Sequence, residues 1–136
     1  MYKRQRHDLA PSGTADRYWL HQLQLTVADM VAEVHNVHHP VAVSAYYDEQ
    51  KPEAARAAAG FRAERLPRFL GHFEAAVICN PGDWLIDGRW TYADTSLFQL
   101  VEGLRYMFPR RMAALEGDYP NPVSYTHLTL PTILRV

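Results

Sequence analysis

Three histidines, His35, His38 and His39, form the only histidine cluster of the chain. His35 and His39 are one helical turn apart, a spacing that binds zinc in metalloproteases. Such an enzyme also needs a glutamate directly after the first histidine and a third ligand, and the sequence offers neither. We therefore expect no metal site. From the residues alone, the cluster is best interpreted as a polar helix terminus, where a cationic imidazole interacts favourably with the helix dipole.

Two other residue sets could contribute to chemistry. Asp29 lies on an apolar-rich helical stretch, where a carboxylate suggests a functional role. The alternative is an ordinary solvated residue beside Glu33 at i+4. Tyr46 and Tyr47 follow the histidines and could donate a phenol to a substrate or pack in an interface. Cys79 is the only cysteine, which excludes an internal disulfide and fits a reducing cytosol. No basic neighbour would activate its thiol, so we expect it to be inert.

Two long helices are predicted in the first part of the chain. The first begins after Pro11-Ser12-Gly13 and ends near His39, because Pro40 disfavours helical backbone in the residue before it. The second begins around Pro52, a favourable first-turn residue, and we expect a kink at Pro67 with the loss of a partner for the carbonyl of Ala63. The apolar residues with helical spacing are Leu20, Leu23, Val27, Met30, Val31 and Val34 in the first helix and Ala55, Ala59, Leu66, Phe69, Leu70, Phe73 and Val77 in the second.

The third helix carries the most explicit start signal. Thr91 precedes an apolar-periodic run and Asp94 follows it by three positions, which is a capping-box arrangement with Asp in place of Glu. Each residue then satisfies an otherwise unpaired backbone donor of the other. The run is Leu97, Leu100, Val101, Leu104 and Phe108, and it stops before Pro109. A short fourth helix is expected over 110–115, so the predicted fold class is all-α.

Both ends of the chain read as translated adapter DNA. The tail from Val123 to Thr132 is the translation of GTCTCTTATACACATCTGACGCTGCCGACG, which resembles the transposase adapter used for short-read sequencing libraries. The reverse complement of that adapter, read from a GTG start, gives Met1 to Gln5. We therefore predict adapter-derived residues at 1–5 and 122–136 and one native domain at 6–121. The competing interpretation is an ordinary basic start and a β-rich tail with alternating Leu128 and Leu130.

Composition excludes several classes of function. The chain has 14 basic and 15 acidic residues and a formal net charge of −1. Leaving out Lys3, Arg4 and Arg135, which fall in the proposed adapter, raises the excess of acidic residues to four. A mildly acidic domain lacks the electrostatic signature of nucleic-acid or anionic-membrane binding. No apolar stretch reaches the roughly 20 residues that span a bilayer, so we expect a soluble, cytoplasmic protein.

The residues at 84–98 carry a family resemblance. They read WLIDGRWTYADTSLF: an apolar pair, an Asp-Gly turn, and then Thr-x-Ala-Asp opening a buried helix. This pattern resembles the signature of the glutathione transferases, in which the capping box starts the core helix of the helical second domain. QLQL at 22–25, ADMV at 28–31 and HDLAP at 7–11 resemble the start of the same domain. The resemblance covers essentially all of 6–121.

The resemblance implies a fold and an activity. The fold would be the all-helical C-terminal bundle of a glutathione transferase, with the thioredoxin-like N-terminal domain missing from this chain. That domain binds glutathione, the co-substrate, and supplies the Tyr, Ser or Cys that activates its thiol, so the chain itself would hold no catalytic residue and need no other cofactor. The helical domain would provide the apolar wall of the electrophile pocket and part of a homodimer surface.

The resemblance also gives roles to individual residues. Asp29 would reach across the dimer to the amino group of glutathione, and His35, His39 and Tyr46 would line the electrophile pocket. Two alternatives stay open: a non-catalytic relative that uses the fold for binding or assembly, as in translation factors, and a free-standing helical binding module.

The adapter interpretation predicts what the source DNA contains. Genomic DNA amplified without any transposase step should encode other residues in place of Met1 to Gln5 and of Val123 to Val136. Finding the codons for both segments in such DNA would show that the interpretation is wrong.

Overall fold

The structure is a computed structural model and describes residues 8–80, 84–86 and 88–123. Met1 to Gln5 and 124–136 lie outside the described residues. The elements in chain order are α1 (Thr14–His38), a 3-10 turn (Tyr47–Glu49), α2 (Lys51–Gly60), a π-helical turn (Phe61–Arg65), α3 (Leu66–Ile78), α4 (Tyr92–Met107), α5 (Pro109–Leu115) and α6 (Pro120–Val123). Every regular element in these ranges is helical, which confirms the predicted all-α class.

The first predicted helix is confirmed, with one correction to its buried face. α1 begins after Gly13 and ends at His38, just before Pro40. Its buried residues are Leu20, Leu23, Val27, Met30 and Val37. Val31, which we assigned to that face, is 50% exposed, because the side of α1 on which it lies borders an open groove rather than the core.

The second predicted helix is interrupted by the π-helical turn, and this changes its buried face. The Leu66 N–H donates to the Phe61 carbonyl, five residues back instead of four. From Leu66 the buried face therefore steps back to Phe61 and then to Ala54, and the predicted Ala55 and Ala59 are exposed. Each wide turn inserts one residue into the helical register, so a pattern based on i+3 and i+4 spacing fails on one side of it.

Pro67 accounts for the position of the π-helical turn. It has no N–H, so in the wide register the carbonyl of Arg62 loses its backbone donor. The Nε of Arg111 donates to that carbonyl instead, at 3.2 Å. The sequence predicted this loss at Ala63, which is the position for an uninterrupted α-helix, and the wide turn moves it by one residue.

The capping box of α4 is confirmed and lies in the core. Thr91 and Asp94 are both completely buried, and each side chain accepts from the backbone N–H of the other. The Thr91 N–H lies 2.7 Å from Oδ2 of Asp94, and the Thr91 hydroxyl also donates to Oδ2. The second carboxylate oxygen, Oδ1, accepts from the Leu85 N–H at 2.9 Å. One buried carboxylate therefore fixes both the start of α4 and the loop before it.

The loop before α4 is held at several further points. Asn80 donates from Nδ2 to the carbonyls of Ala76 and Leu85, which joins the end of α3 to this loop. Gly88 has a φ of 60°, a left-handed conformation that favours glycine, and the chain turns there into α4. Arg89 bonds to Asp8 and to the carbonyl of Ala10, which ties the segment before α1 to the same corner.

α4 forms the centre of the bundle. Its buried face of Ala93, Leu97, Leu100, Val101 and Leu104 packs against α1, α5 and α6. α6 also packs on α3, where the Glu74 carboxylate accepts from the backbone N–H and the side-chain amide of Asn121 at 2.9 and 2.5 Å. The end of the native domain at 121 stays a prediction.

The buried cap makes a quantitative prediction about stability. Thr91→Ala should lower the free energy of unfolding by about 1–2 kcal/mol, as for other lost N-caps. Asp94→Ala should lower the free energy of unfolding further, because it leaves two buried amide donors without an acceptor. Each unsatisfied donor costs about 1–3 kcal/mol. The double variant should lose less than the sum of the two, since both residues serve one network.

Urea unfolding of the four variants in this cycle is the measurement. Glu53→Ala is the matched control: Glu53 is also a first-turn acidic residue, but it is exposed, so its removal should cost only a few tenths of a kcal/mol. Strictly additive losses, or an Asp94→Ala loss no larger than that of the control, would refute the network.

Candidate functional site

An open groove of about 1150 Å³ runs between α1 and α4. Its lining combines residues of both helices, because α1 and α4 pack against each other. The apolar part of the lining is Val27, Val31, Val34, Leu100, Leu104 and Met107. The polar part is Gln24, Thr95, Ser96, Gln99, His38 and Tyr106. A surface with this composition suits an apolar molecule that also carries a few hydrogen-bonding groups.

One residue of the groove lining, Gln24, has a polar atom that is not satisfied within the described part of the chain. Oε1 of Gln24 is buried and has no hydrogen-bond partner there. Buried polar atoms nearly always have a partner, because leaving one without a bond costs about 1–3 kcal/mol. Because this oxygen has almost no accessible surface, an occupant of the groove would reach it only after a rotation of the Gln24 side chain.

Gly103 also lines the groove, and the space beside it is open. A Cβ atom built on Gly103 meets no atom within 4 Å. Glycine in a helix interior costs roughly 0.5–1 kcal/mol relative to alanine. The absence of a side chain here keeps the groove wide near the C-terminal end of α4.

Of the three histidines, only His38 lines the groove. His35 is exposed, and its ring lies 5.5 Å from that of His39 between centroids. His39 is half-buried and bonds to a side chain behind it. The binding roles of His35 and His39 stay predictions. The sequence contained a signal for His38, because it continues the row of Val27, Val31 and Val34 at spacings of four, three and four.

Tyr46 and Asp29 lie outside the lining of the groove. Tyr46 is 79% exposed, and its neighbour Tyr47 packs against His38 with ring centroids 5.1 Å apart. Asp29 is exposed on α1. The acidic residue one turn on, Glu33, has a lowered pKa because Arg65 donates two hydrogen bonds to its carboxylate, at 2.6 and 2.8 Å. Asp29 therefore presents its carboxylate to solvent while Glu33 holds two helical segments together.

The comparison with protein families gives a match over residues 35–128, to the family described as glutathione S-transferase, C-terminal domain. The match spans more than half of the chain, from the last turns of α1 through α6. The chain belongs to this family. The comparison with curated proteins finds no match.

The described part of this glutathione S-transferase domain comprises residues 8–80, 84–86 and 88–123. No group of three or more His, Cys, Asp or Glu side chains in that part is placed to hold a metal ion. None of its helices has the length and apolar character needed to cross a membrane. Cys79, in the same part, is a free and exposed thiol at the end of α3.

Gln50 organises the loop between α1 and α2, a role that no local pattern in the sequence indicates. It is only 2% exposed. Its Oε1 accepts from the N–H groups of Val41 and Ala42 at 3.0 and 3.4 Å. Its Nε2 lies within 3.2 Å of the carbonyls of Ala42 and Ala45 and of Nδ1 of His39. One amide therefore closes the loop and sets the position of His39.

Removing the Gln50 amide should destabilise this loop. Gln50→Ala leaves the N–H groups of Val41 and Ala42 without their acceptor, so we expect a loss of about 1–3 kcal/mol in the free energy of unfolding. Gln50→Glu keeps an acceptor but places a carboxylate against two carbonyl oxygens. Its loss should therefore be larger at neutral pH than at a pH low enough to protonate the carboxylate.

Urea unfolding measures both variants. Gln22→Ala is the control, because Gln22 is exposed on α1 and its side chain has no such role. A Gln50→Ala variant as stable as this control would contradict the assigned role.

Proposed function

We propose that this domain is part of a glutathione transferase that conjugates the glutathione thiolate to electrophiles, and that the α1–α4 groove forms the apolar wall of its electrophile pocket. The observation that carries the proposal is the groove itself in a member of this family. Its lining is mainly apolar, and an open side is left for a second wall. In the proposed enzyme a thioredoxin-like domain supplies that wall, the glutathione site and the group that activates the thiol.

In this reaction the groove has only to bind and position the electrophile. The thiolate sulfur attacks an electrophilic carbon, a new C–S bond forms, and a leaving group departs or a proton is taken up. Holding the two reactants together converts an encounter in solution into a step within one complex. An apolar wall of Val31, Leu100 and Met107 would bind the body of the electrophile and exclude water from the thiolate.

The polar residues of the groove would orient the bound molecule. Ser96 and Gln99 lie on α4 and line the groove together with His38. His35, His39 and Tyr46 lie outside the lining, so in this proposal they act only if the second wall extends the pocket toward them.

The dimer and the location belong to the same proposal. The exposed carboxylate of Asp29 is available to the amino group of glutathione bound by a second copy. Exposed apolar side chains on α1, Leu25 and Trp19 among them, give that helix surface for a partner subunit. We propose a cytoplasmic homodimer that acts in detoxification.

The chain alone should not catalyse the reaction. Without a glutathione site and a thiol-activating group, the purified 136-residue chain should leave the rate of reaction between glutathione and 1-chloro-2,4-dinitrobenzene at its uncatalysed value. The absorbance of the conjugate measures the rate. Turnover above the uncatalysed rate would show that the chain holds catalytic groups of its own.

In the full-length enzyme, filling the groove should weaken binding of the electrophile. Gly103→Leu places an isobutyl group in the open space and should raise KM for the electrophile roughly tenfold, the effect of losing about 1.4 kcal/mol of binding. KM for glutathione should change little. Steady-state kinetics with each substrate varied in turn provide both constants.

Gly60→Leu is the matched control, because Gly60 is also helical, also has nothing within 4 Å of a built Cβ, and lies off the groove. It should leave both constants unchanged. Equal effects of the two variants would contradict the role of the groove, and a full-length protein with no turnover would favour the binding or assembly function instead.

A further inference from the structure

A second cavity, of about 360 Å³, lies where α1, the 3-10 turn, α2 and the end of α4 meet. Its base is apolar and formed by Val37, Ala54, Ala58 and Phe108. Its polar lining comes from His38, Tyr47 and Arg62. This cavity is smaller than the groove and lies beyond its end, with His38 and Met107 contributing to both. Apart from His38 and Met107, the residues that line this cavity have no role in the proposed transferase reaction.

The π-helical turn determines how Arg62 faces this cavity. The wide turn directs Phe61 into the core, where its ring lies 5.9 Å from that of Phe108. Arg62 follows directly, and its guanidinium lies over the Phe108 ring at 5.6 Å from the centroid. Such π-helical turns are rare and occur frequently at functional sites. Here the turn places a flat cation on the apolar base of a cavity.

The positive charge of Arg62 is not neutralised within the described part of the chain. Ion pairs form elsewhere, for example between Arg65 and Glu33, but no described carboxylate lies within 4.0 Å of the Arg62 guanidinium. Arg62 is nevertheless half-buried. A partly buried arginine commonly pairs with a carboxylate or phosphate, to which it can donate two parallel hydrogen bonds.

The neighbouring polar groups suit the same kind of ligand. His38 is the last residue of α1, and its ring packs on Tyr47 at the rim of the cavity. The imidazole and the phenol can both donate hydrogen bonds to an anion. Arg111 adds a second positive charge nearby, since its Nε bonds to the backbone carbonyl of Arg62. The cavity therefore combines donors and positive charge with an apolar base.

We propose that this cavity binds a small organic carboxylate with an apolar body, such as a substituted benzoate. The carboxylate pairs with the Arg62 guanidinium and accepts from His38 or Tyr47. The apolar body lies against Ala54, Ala58 and the Phe108 ring. A free inorganic anion leaves the apolar base uncovered.

The experiment compares a charged ligand with its neutral counterpart. The full chain is labelled with ¹⁵N and titrated with 4-isopropylbenzoate and, separately, with 4-isopropylbenzyl alcohol. The benzoate should bind at least about tenfold more tightly, since a hydrogen bond to a charged group contributes about 1.5–3 kcal/mol. The shifted amides should be those around the cavity, at 37–38, 54–62 and 107–108.

Two variants and one control identify the site. Arg62→Gln should weaken binding of the benzoate by about tenfold and leave binding of the alcohol unchanged. Ala55→Leu narrows the cavity without changing charge and should weaken both ligands, which keeps the test valid if Arg62→Gln does not fold. Arg56→Gln should change nothing, because Arg56 is exposed on α2 outside the lining.

Three results would overturn the proposal. The first is equal affinity for benzoate and alcohol. The second is a loss of affinity in Arg56→Gln as large as that in Arg62→Gln. The third is a set of shifts centred on the α1–α4 groove, at 96–103, instead of on the second cavity.

Discussion

The carboxylate of Asp94 is the interaction on which the rest of this fold depends. It is completely buried, and it accepts from the N–H and hydroxyl of Thr91 and from the N–H of Leu85. A buried carboxylate is tolerated only when such donors surround it. The same bonds fix where α4 begins and hold the preceding loop against it. Because α4 is the central helix, its start determines how α1, α5 and α6 can pack.

The groove follows from this arrangement. α1 and α4 pack against each other, and the groove between them is lined by buried residues such as Val27 and Leu100 and by the exposed Val31. Gly103 keeps this groove wide, since no side chain projects there. The fold thereby provides one wall of a binding site and leaves the other to be supplied by a partner. The partial exposure of Val31, which the periodic pattern assigned to the core, is a direct consequence.

Local sequence patterns were sufficient where one element determines its own structure. The cap at Thr91 and Asp94 and the end of α1 before Pro40 depend on interactions within a few positions, and the structure confirms them. It also confirms the burial of Leu20 and Leu23, which helical periodicity predicted. The pattern also continued to His38, whereas the family resemblance gave the pocket roles to His35 and His39, and those roles stay predictions. The groove is formed by two helices, so its lining could not be deduced from either one alone.

The other differences between the sequence predictions and the structure arise from contacts between residues that are far apart in the chain. The π-helical turn shifts the register between Ala54 and Leu66, and its unpaired carbonyl at Arg62 is satisfied by Arg111, far along the chain. No local sequence pattern indicates that Arg111 is the donor to this carbonyl. Gln50 is an unremarkable polar residue in the sequence, and it becomes essential to the loop only when the backbone folds around its amide. Polar groups of this kind are identified by their partners, which the sequence does not show.

Hydrogen exchange at the Leu85 amide is the most direct test of the claim that the fold depends on the Asp94 carboxylate. Leu85 lies in an irregular loop, so its N–H has no secondary structure to protect it and bonds instead to Asp94. If that carboxylate organises the core, the amides of Leu85 and Thr91 should exchange as slowly as those in the middle of α4, through global unfolding. Rapid exchange of Leu85 and Thr91 while the α4 amides stay protected would contradict this account.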